Sequence, residues 1–164
     1  MGRIGRSTAQ KAIQALGMKV IFFNRSKVMG LEFDAEQMET LDELVVRSDV
    51  VSMHAPGGGS TPILSAEHFA KMKKSSFLIN TARGDVIDQQ ALISALKNGI
   101  IAGAGLDVYL NEPEVPKELI SLPNVTLLPH IGSATVETRE AMGLLAVKNL
   151  IAHFSDQDYP SRVV

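Results

Sequence analysis

Residues 1–27 read "MGRIGRSTAQKAIQALGMKVIFFNRSK". Ala9, Ile13 and Leu16 recur at helical spacing, and Gly17 supplies the usual C-terminal stop. "KVIFF" (19–23) then reads as a buried strand, and "GRIG" (2–5) is a glycine-bearing turn opening the helix. A glycine turn, a helix and a strand make up most of a βαβ unit, lacking only the strand in front. That gap predicts that the chain begins inside the motif and is a piece of a longer protein. A parallel sheet without its central first strand would leave backbone groups unpaired.

The same alternation continues downstream. "TLDELVVRS" predicts a short helix and "DVVSMH" a strand ending at His54. "APGGGSTPILS" holds two prolines and three consecutive glycines and reads as a loop, with Ser65 capping the helix "AEHFAKM". "SFLIN" is a third strand, "TARGDVI" a loop, and Asp88 caps the helix "QQALISALKNG", closed by Gly99. "IAGAGLDV" is a fourth strand, "YLNEPEVPKELISLP" a loop and "NVTLLPH" a fifth strand. Ser133 or Thr135 caps a long amphipathic helix, "SATVETREAMGLLAVKNLIAHF". Strands alternating with helices predict an α/β fold, a Rossmann-like parallel sheet with helices on both faces. The expected division is an incomplete dinucleotide-binding domain over 1–134, then a helix and tail over 135–164 that return to a substrate domain.

Composition narrows the function. The chain has 164 residues, 45% of them hydrophobic, which suits one sizeable core. Its 16 Lys and Arg against 18 Asp and Glu leave a net charge of −2, with no basic stretch for nucleic acid or an anionic membrane. Charges interrupt every apolar run before it could span a bilayer. The lack of cysteine removes disulfides and thiolate metal sites, and it fits a reducing compartment, the cytoplasm. No metal site is expected.

In a Rossmann unit, three glycines serve the tight turn, the approach to the pyrophosphate and helix packing. Gly2 and Gly5, flanking Arg3 and Ile4, match the last two. An NAD-binding unit ends its second strand with an acidic residue for the ribose 2′-hydroxyl. Here Asn24 stands there, followed by Arg25 and Ser26. A carboxylate would repel a 2′-phosphate, whereas guanidinium and hydroxyl would bind it. The expected cofactor is therefore NADP(H), with NAD(H) as the alternative. "NRSK" also reads as a plain polar turn.

Three more segments follow strands, where open α/β sheets bind ligands: "NTARG", "LDVYLNEP" and "LPHIGSAT". They contribute Arg83, Glu112 and His130, a set suited to reducing a 2-keto acid. Arg83 can grip a carboxylate with its planar fork. His130 can protonate the keto oxygen as hydride arrives, and Glu112 can hold the imidazole tautomer. Taken singly, each reads better as an ordinary turn or loop residue.

Together, "GRIGR", "INTARGDVID", "ALISALKNGIIAGAGLDVYLNEP" and "LPNVTLLPHIGSAT" resemble the nucleotide-binding domain of the D-isomer-specific 2-hydroxyacid dehydrogenases across nearly the whole chain. The resemblance implies Arg83, Glu112 and His130 as the catalytic triad. It implies cofactor contacts at the Gly2–Gly5 turn, Thr81, Ala82, Arg83, Asp107, His130, Gly132, Ser133 and Ala134, and around His54 and Pro56. There "APGGGSTP" replaces the family's usual Pro-Leu-Thr type of loop. Asn24-Arg25-Ser26, "HIGSATVETREAMG" and the ending "YPSRVV" are similar to the glyoxylate/hydroxypyruvate reductase branch. The implied partners are a small 2-keto or 2-hydroxy acid and a second copy in a homodimer. The competing expectation is a nucleotide-binding module without turnover.

Overall fold

A computed structural model describes residues 1–162; Val163 and Val164, the end of "YPSRVV", lie outside the described residues. The chain divides into two compact units, the first running from Met1 to Pro129 and the second beginning at His130.

The first unit opens with helix α1 (Arg3–Leu16), which ends where Gly17 turns left-handed at φ 63° and donates to the Ile13 carbonyl. Strand β1 (Ile21–Phe23) pairs in parallel with β2 (Glu36–Met38). Helix α2 (Leu41–Arg47) starts at a capping box, in which Thr40 Oγ1 accepts from Glu43 N–H at 3.1 Å and Glu43 Oε2 accepts from Thr40 N–H at 3.3 Å. A second sheet contains β3 (Val50–Met53), β4 (Phe77–Asn80), β5 (Gly103–Leu106) and β6 (Val125–Leu127) in that order, all parallel. Helix α3 (Ala66–Lys71) links β3 to β4, and α4 (Gln89–Lys97) links β4 to β5. The predicted Asp88 cap is present, accepting from Ala91 N–H at 3.0 Å.

Alternation along these strands decides where the core lies. Val51, Met53, Leu78, Ala104 and Leu106 are buried with Phe69 of α3 and Leu92, Ile93 and Leu96 of α4. Phe69 is 1% exposed, and truncating a phenylalanine packed this way to alanine costs about 3–5 kcal/mol. The opposite face carries Val50 and Phe77, both exposed.

At three places the structure adds to or corrects the sequence reading. Strand β2 forms where "EQM" offers no apolar run to announce it, and its pairing comes from the backbone: Glu36 N–H donates to the Val20 carbonyl at 3.1 Å. The loop before β6 contains one helical turn, α5 (Lys117–Ile120), anchored by the fully buried Leu119. In the second unit, α6 (Val136–Phe154) is as long as expected, with Thr135 rather than Ser133 as its cap. It is not amphipathic about one stripe. Val136, Leu144, Val147, Leu150, Ile151 and Phe154 form one apolar face, and Leu145 lies on the other side with Ala152, the helix's buried residue.

Candidate active site

The carboxyl ends of the parallel strands gather most of the residues singled out from the sequence. Gly2 caps α1 in extended conformation, and no side chain closes that helix end. First-turn N–H groups lacking a side-chain cap favour an anion. Gly5 is buried in the first turn, where an added Cβ would sit 3.5 Å from His54 Cβ. At this ordinary contact distance the first turn of α1 lies against the end of β3. Arg3 and Ile4 are exposed. His54 Nε2 lies 2.9 Å from Ser52 Oγ. Burial, and then the nearby N-terminal ammonium, hold the imidazole below its ordinary pKa.

At the end of β1, Asn24 organises its own turn: Nδ2 donates to the Ser26 carbonyl at 3.1 Å and to Ser26 Oγ at 3.3 Å. Gln37 of β2 braces the turn from outside, donating to the Ser26 carbonyl at 3.0 Å and accepting from Val28 N–H at 3.0 Å. Sequence reasoning missed Gln37, because nothing marks "EQM" as a strand beside "NRSK". Arg25 and Ser26 are exposed. Polar groups of this turn therefore hold its shape while the guanidinium and a hydroxyl face solvent.

Arg83 stands on a turn locked by Asn80, the last residue of β4, which is 2% exposed. Asn80 Nδ2 donates to the Arg83 carbonyl at 2.8 Å, and its Oδ1 accepts from Ala82 N–H at 3.0 Å. The Arg83 guanidinium is exposed and donates to the Ala82 carbonyl at 2.6 Å. Thr81 is exposed beside it. Gly84 follows, and an added Cβ there would fall 2.1 Å from the Tyr109 carbonyl carbon and oxygen. This close approach seats the Arg83 turn directly on the segment after β5.

That segment carries Asp107 and Glu112. Asp107 is buried, and its N–H donates to the Asn80 carbonyl at 3.0 Å, so the β4–β5 ladder extends into the site. Glu112 is exposed and accepts from Tyr109 N–H at 3.0 Å. Tyr109, also missed, anchors the segment by donating from its hydroxyl to the Leu128 carbonyl at 2.8 Å. Burial pushes its phenol above the ordinary value, an effect partly offset by that hydrogen bond. Arg83 and Glu112 thus stand on turns joined through Gly84 and Tyr109. Pro56 is exposed in the loop after β3.

His130, Gly132, Ser133 and Ala134 begin the second unit. His130 is exposed with φ 54°, a left-handed conformation uncommon outside glycine and frequent at functional positions. Ala134 N–H donates to the Ile131 carbonyl at 3.0 Å, closing a turn ahead of α6. Among the described residues, no helix is long and apolar enough to cross a membrane. Also among them, no cluster of three His, Asp or Glu side chains could hold a metal ion.

A glycine-opened helix, parallel strands and polar residues gathered at the strands' carboxyl ends define a dinucleotide-binding α/β domain. Residues 1–132 match the family model described as D-isomer specific 2-hydroxyacid dehydrogenase, NAD binding domain, and the chain belongs to that family. It is 43% identical over 167 residues to a glyoxylate reductase of Thermofilum pendens, covering 99% of this chain and 49% of the relative. It is 48% identical over 156 residues to glyoxylate/hydroxypyruvate reductase B of Erwinia tasmaniensis, covering 93% of this chain and 48% of that protein. The NADPH-dependent glyoxylate/hydroxypyruvate reductase of Sinorhizobium meliloti, solved with NADP and malonate, superposes with a TM-score of 0.92 at 41% identity, over 99% of this chain and 50% of that one. The chain spans about half the length of the relatives it matches.

Proposed function

We propose that the chain is the nucleotide-binding half of an NADP(H)-using reductase of small 2-keto acids, of the glyoxylate or hydroxypyruvate type. The observation that carries this reading is Arg83. A buried asparagine and a glycine with no room for a side chain present its exposed guanidinium beside the turn bearing Glu112.

The chain's own groups fit a dinucleotide. The open N-terminus of α1 at Gly2 would hold a pyrophosphate, and Arg25 and Ser26 a ribose phosphate. Asn24, spent on its own turn, leaves no carboxylate to repel that phosphate. When bound, the reduced nicotinamide supplies the hydride. Thr81, Ala82, Asp107 and the turn Gly132–Ala134 are assigned to its surroundings.

Arg83 binds the substrate carboxylate through its fork and polarises the keto oxygen. His130 gives a proton to that oxygen, and in the reverse direction takes it back. Glu112 is assigned as the imidazole's carboxylate partner, fixing which ring nitrogen carries the proton. Residues 135–164 are assigned to the return toward a substrate domain, the assembled protein to a cytoplasmic homodimer.

The test is NADPH and NADH oxidation with glyoxylate and hydroxypyruvate, on this chain and on the protein extended to the length of its relatives. The expected result is turnover by the extended protein with NADPH preferred, abolished by Arg83→Ala. Turnover that survives Arg83→Ala would refute the assignment. A second reading, nucleotide binding without turnover, draws on the half-length match. Thermal stabilisation of this chain by NADP without keto-acid reduction would support it.

A further inference from the structure

The glycine run after β3 reads in the sequence as nothing more than a loop. In the fold it lies against the turn that carries Arg83. Gly58 N–H donates to Asp85 Oδ2, and Gly58 itself is left-handed at φ 85°. Gly57 has no room for a side chain: a Cβ there would come within 2.5 Å of Asp85 Oδ1, 2.7 Å of Arg83 Cγ and 2.8 Å of Arg83 Cβ. The loop therefore rests on the Asp85 carboxylate and on the aliphatic stem of Arg83 together. Asp85 opens from the short 3-10 turn Gly84–Val86, directly after Arg83. One rigid turn thus holds both the arginine and the group that grips the loop.

The other carboxylate oxygen, Asp85 Oδ1, is buried and makes no hydrogen bond. A buried carboxylate oxygen without a partner is costly, so its retention calls for an explanation. We propose that Asp85 is a positioning residue, which latches the 57–59 loop onto the Arg83 stem and so restricts the directions its guanidinium can take toward a substrate carboxylate. The assignment of Arg83 rests on the reading given under Proposed function; the latch itself does not. Holding a long side chain in advance of binding removes part of the ordering cost that a ligand would otherwise meet.

The experiment compares Asp85→Ala with Asp85→Asn in the 164-residue chain by NMR. Asparagine keeps an acceptor for Gly58 N–H but loses the charge, whereas alanine loses both. Asp85→Ala is expected to speed Gly58 amide exchange by about tenfold or more and to lower the Arg83 Nε–Hε order parameter below about 0.6, with Asp85→Asn like the parent in both. Protection of Ile63 and Leu64, whose N–H groups donate to the Val86 carbonyl, reports that the fold is intact. If alanine unfolds the turn, Asp85→Ser, too short to span to Gly58, takes its place. In the extended protein, Asp85→Ala should lower kcat/KM for glyoxylate about tenfold through both a raised KM and a lowered kcat, because Arg83 grips the carboxylate and also polarises the keto oxygen, while the KM for NADPH stays within about twofold. Gly58 exchange or Arg83 order unmoved by alanine would overturn the latch. So would asparagine behaving as alanine does, because charge would then be the cause. Failure of the functional reading looks different: the parent protein would reduce no keto acid, while the two NMR readouts still decide the latch.

Discussion

Gly84→Ala tests whether the Arg83 turn is seated as described. The added methyl would lie 2.1 Å from both the carbonyl carbon and the carbonyl oxygen of Tyr109, and 2.4 Å from Leu110 N. All three are backbone atoms, so no side-chain rotation relieves the clash; the turn or the Tyr109 segment must move by roughly 1 Å, in a core that tolerates little overpacking. Tyr109 is held by its hydroxyl on the Leu128 carbonyl, and the Arg83 carbonyl by Asn80, so movement on either side loses a hydrogen bond. Overpacking costs about 1–3 kcal/mol and each lost bond about 1 kcal/mol, giving an expected loss of about 3 kcal/mol. In a chain of this size that lowers Tm by roughly 6–12 °C. The assay is urea and thermal unfolding beside Gly143→Ala, in the interior of α6, where an added Cβ meets nothing within 4 Å. That control should stabilise its helix by about 0.5–1 kcal/mol. A loss under about 0.5 kcal/mol for Gly84→Ala would refute the close seating of Arg83 on the Tyr109 segment.

Three further outcomes are expected. Asn80→Ala removes two hydrogen bonds from a buried position and should destabilise the first unit by about 2–3 kcal/mol in urea unfolding; a neutral result would show that the turn holds its shape without the asparagine. His54 has a depressed pKa, so it contributes stability that is present above the unfolded value near 6.5 and is lost as pH falls through the folded value. The difference in stability between the parent and His54→Gln, measured from pH 8 to 5, should change across that window, and a constant difference would contradict the burial of the ring. Arg25→Ala should weaken NADP binding about tenfold or more while leaving NAD binding nearly unchanged, as read by fluorescence titration. Equal losses for the two cofactors would remove Arg25 from the phosphate assignment.

What the sequence determined by itself is local in origin. The α/β class was legible because helix stops, caps and short apolar runs are written in neighbouring residues: Gly17, Asp88, "SFLIN" and "NVTLLPH" each announce their elements. Arg83, Glu112 and His130 could be singled out as candidates because each follows a strand, where such sheets bind ligands. Strand β2 could not be, since "EQM" forms a strand only through the backbone of β1, across a loop that carries no pattern. The reading of α6 as amphipathic missed Leu145 and Ala152, which lie opposite its main apolar face, because spacing alone does not say which apolar residue is buried. What only the tertiary structure decided is how the site is held. Asn80 bridges its own turn, Gln37 braces the segment after β1, Gly84 admits the Tyr109 backbone, and Asp85 reaches across to Gly58. Two of these contacts join residues more than twenty positions apart, and propensity and periodicity carry no information at that separation. They arise only when parallel strands bring their carboxyl ends together, and there a missing side chain or a single carbonyl sets the position of the arginine.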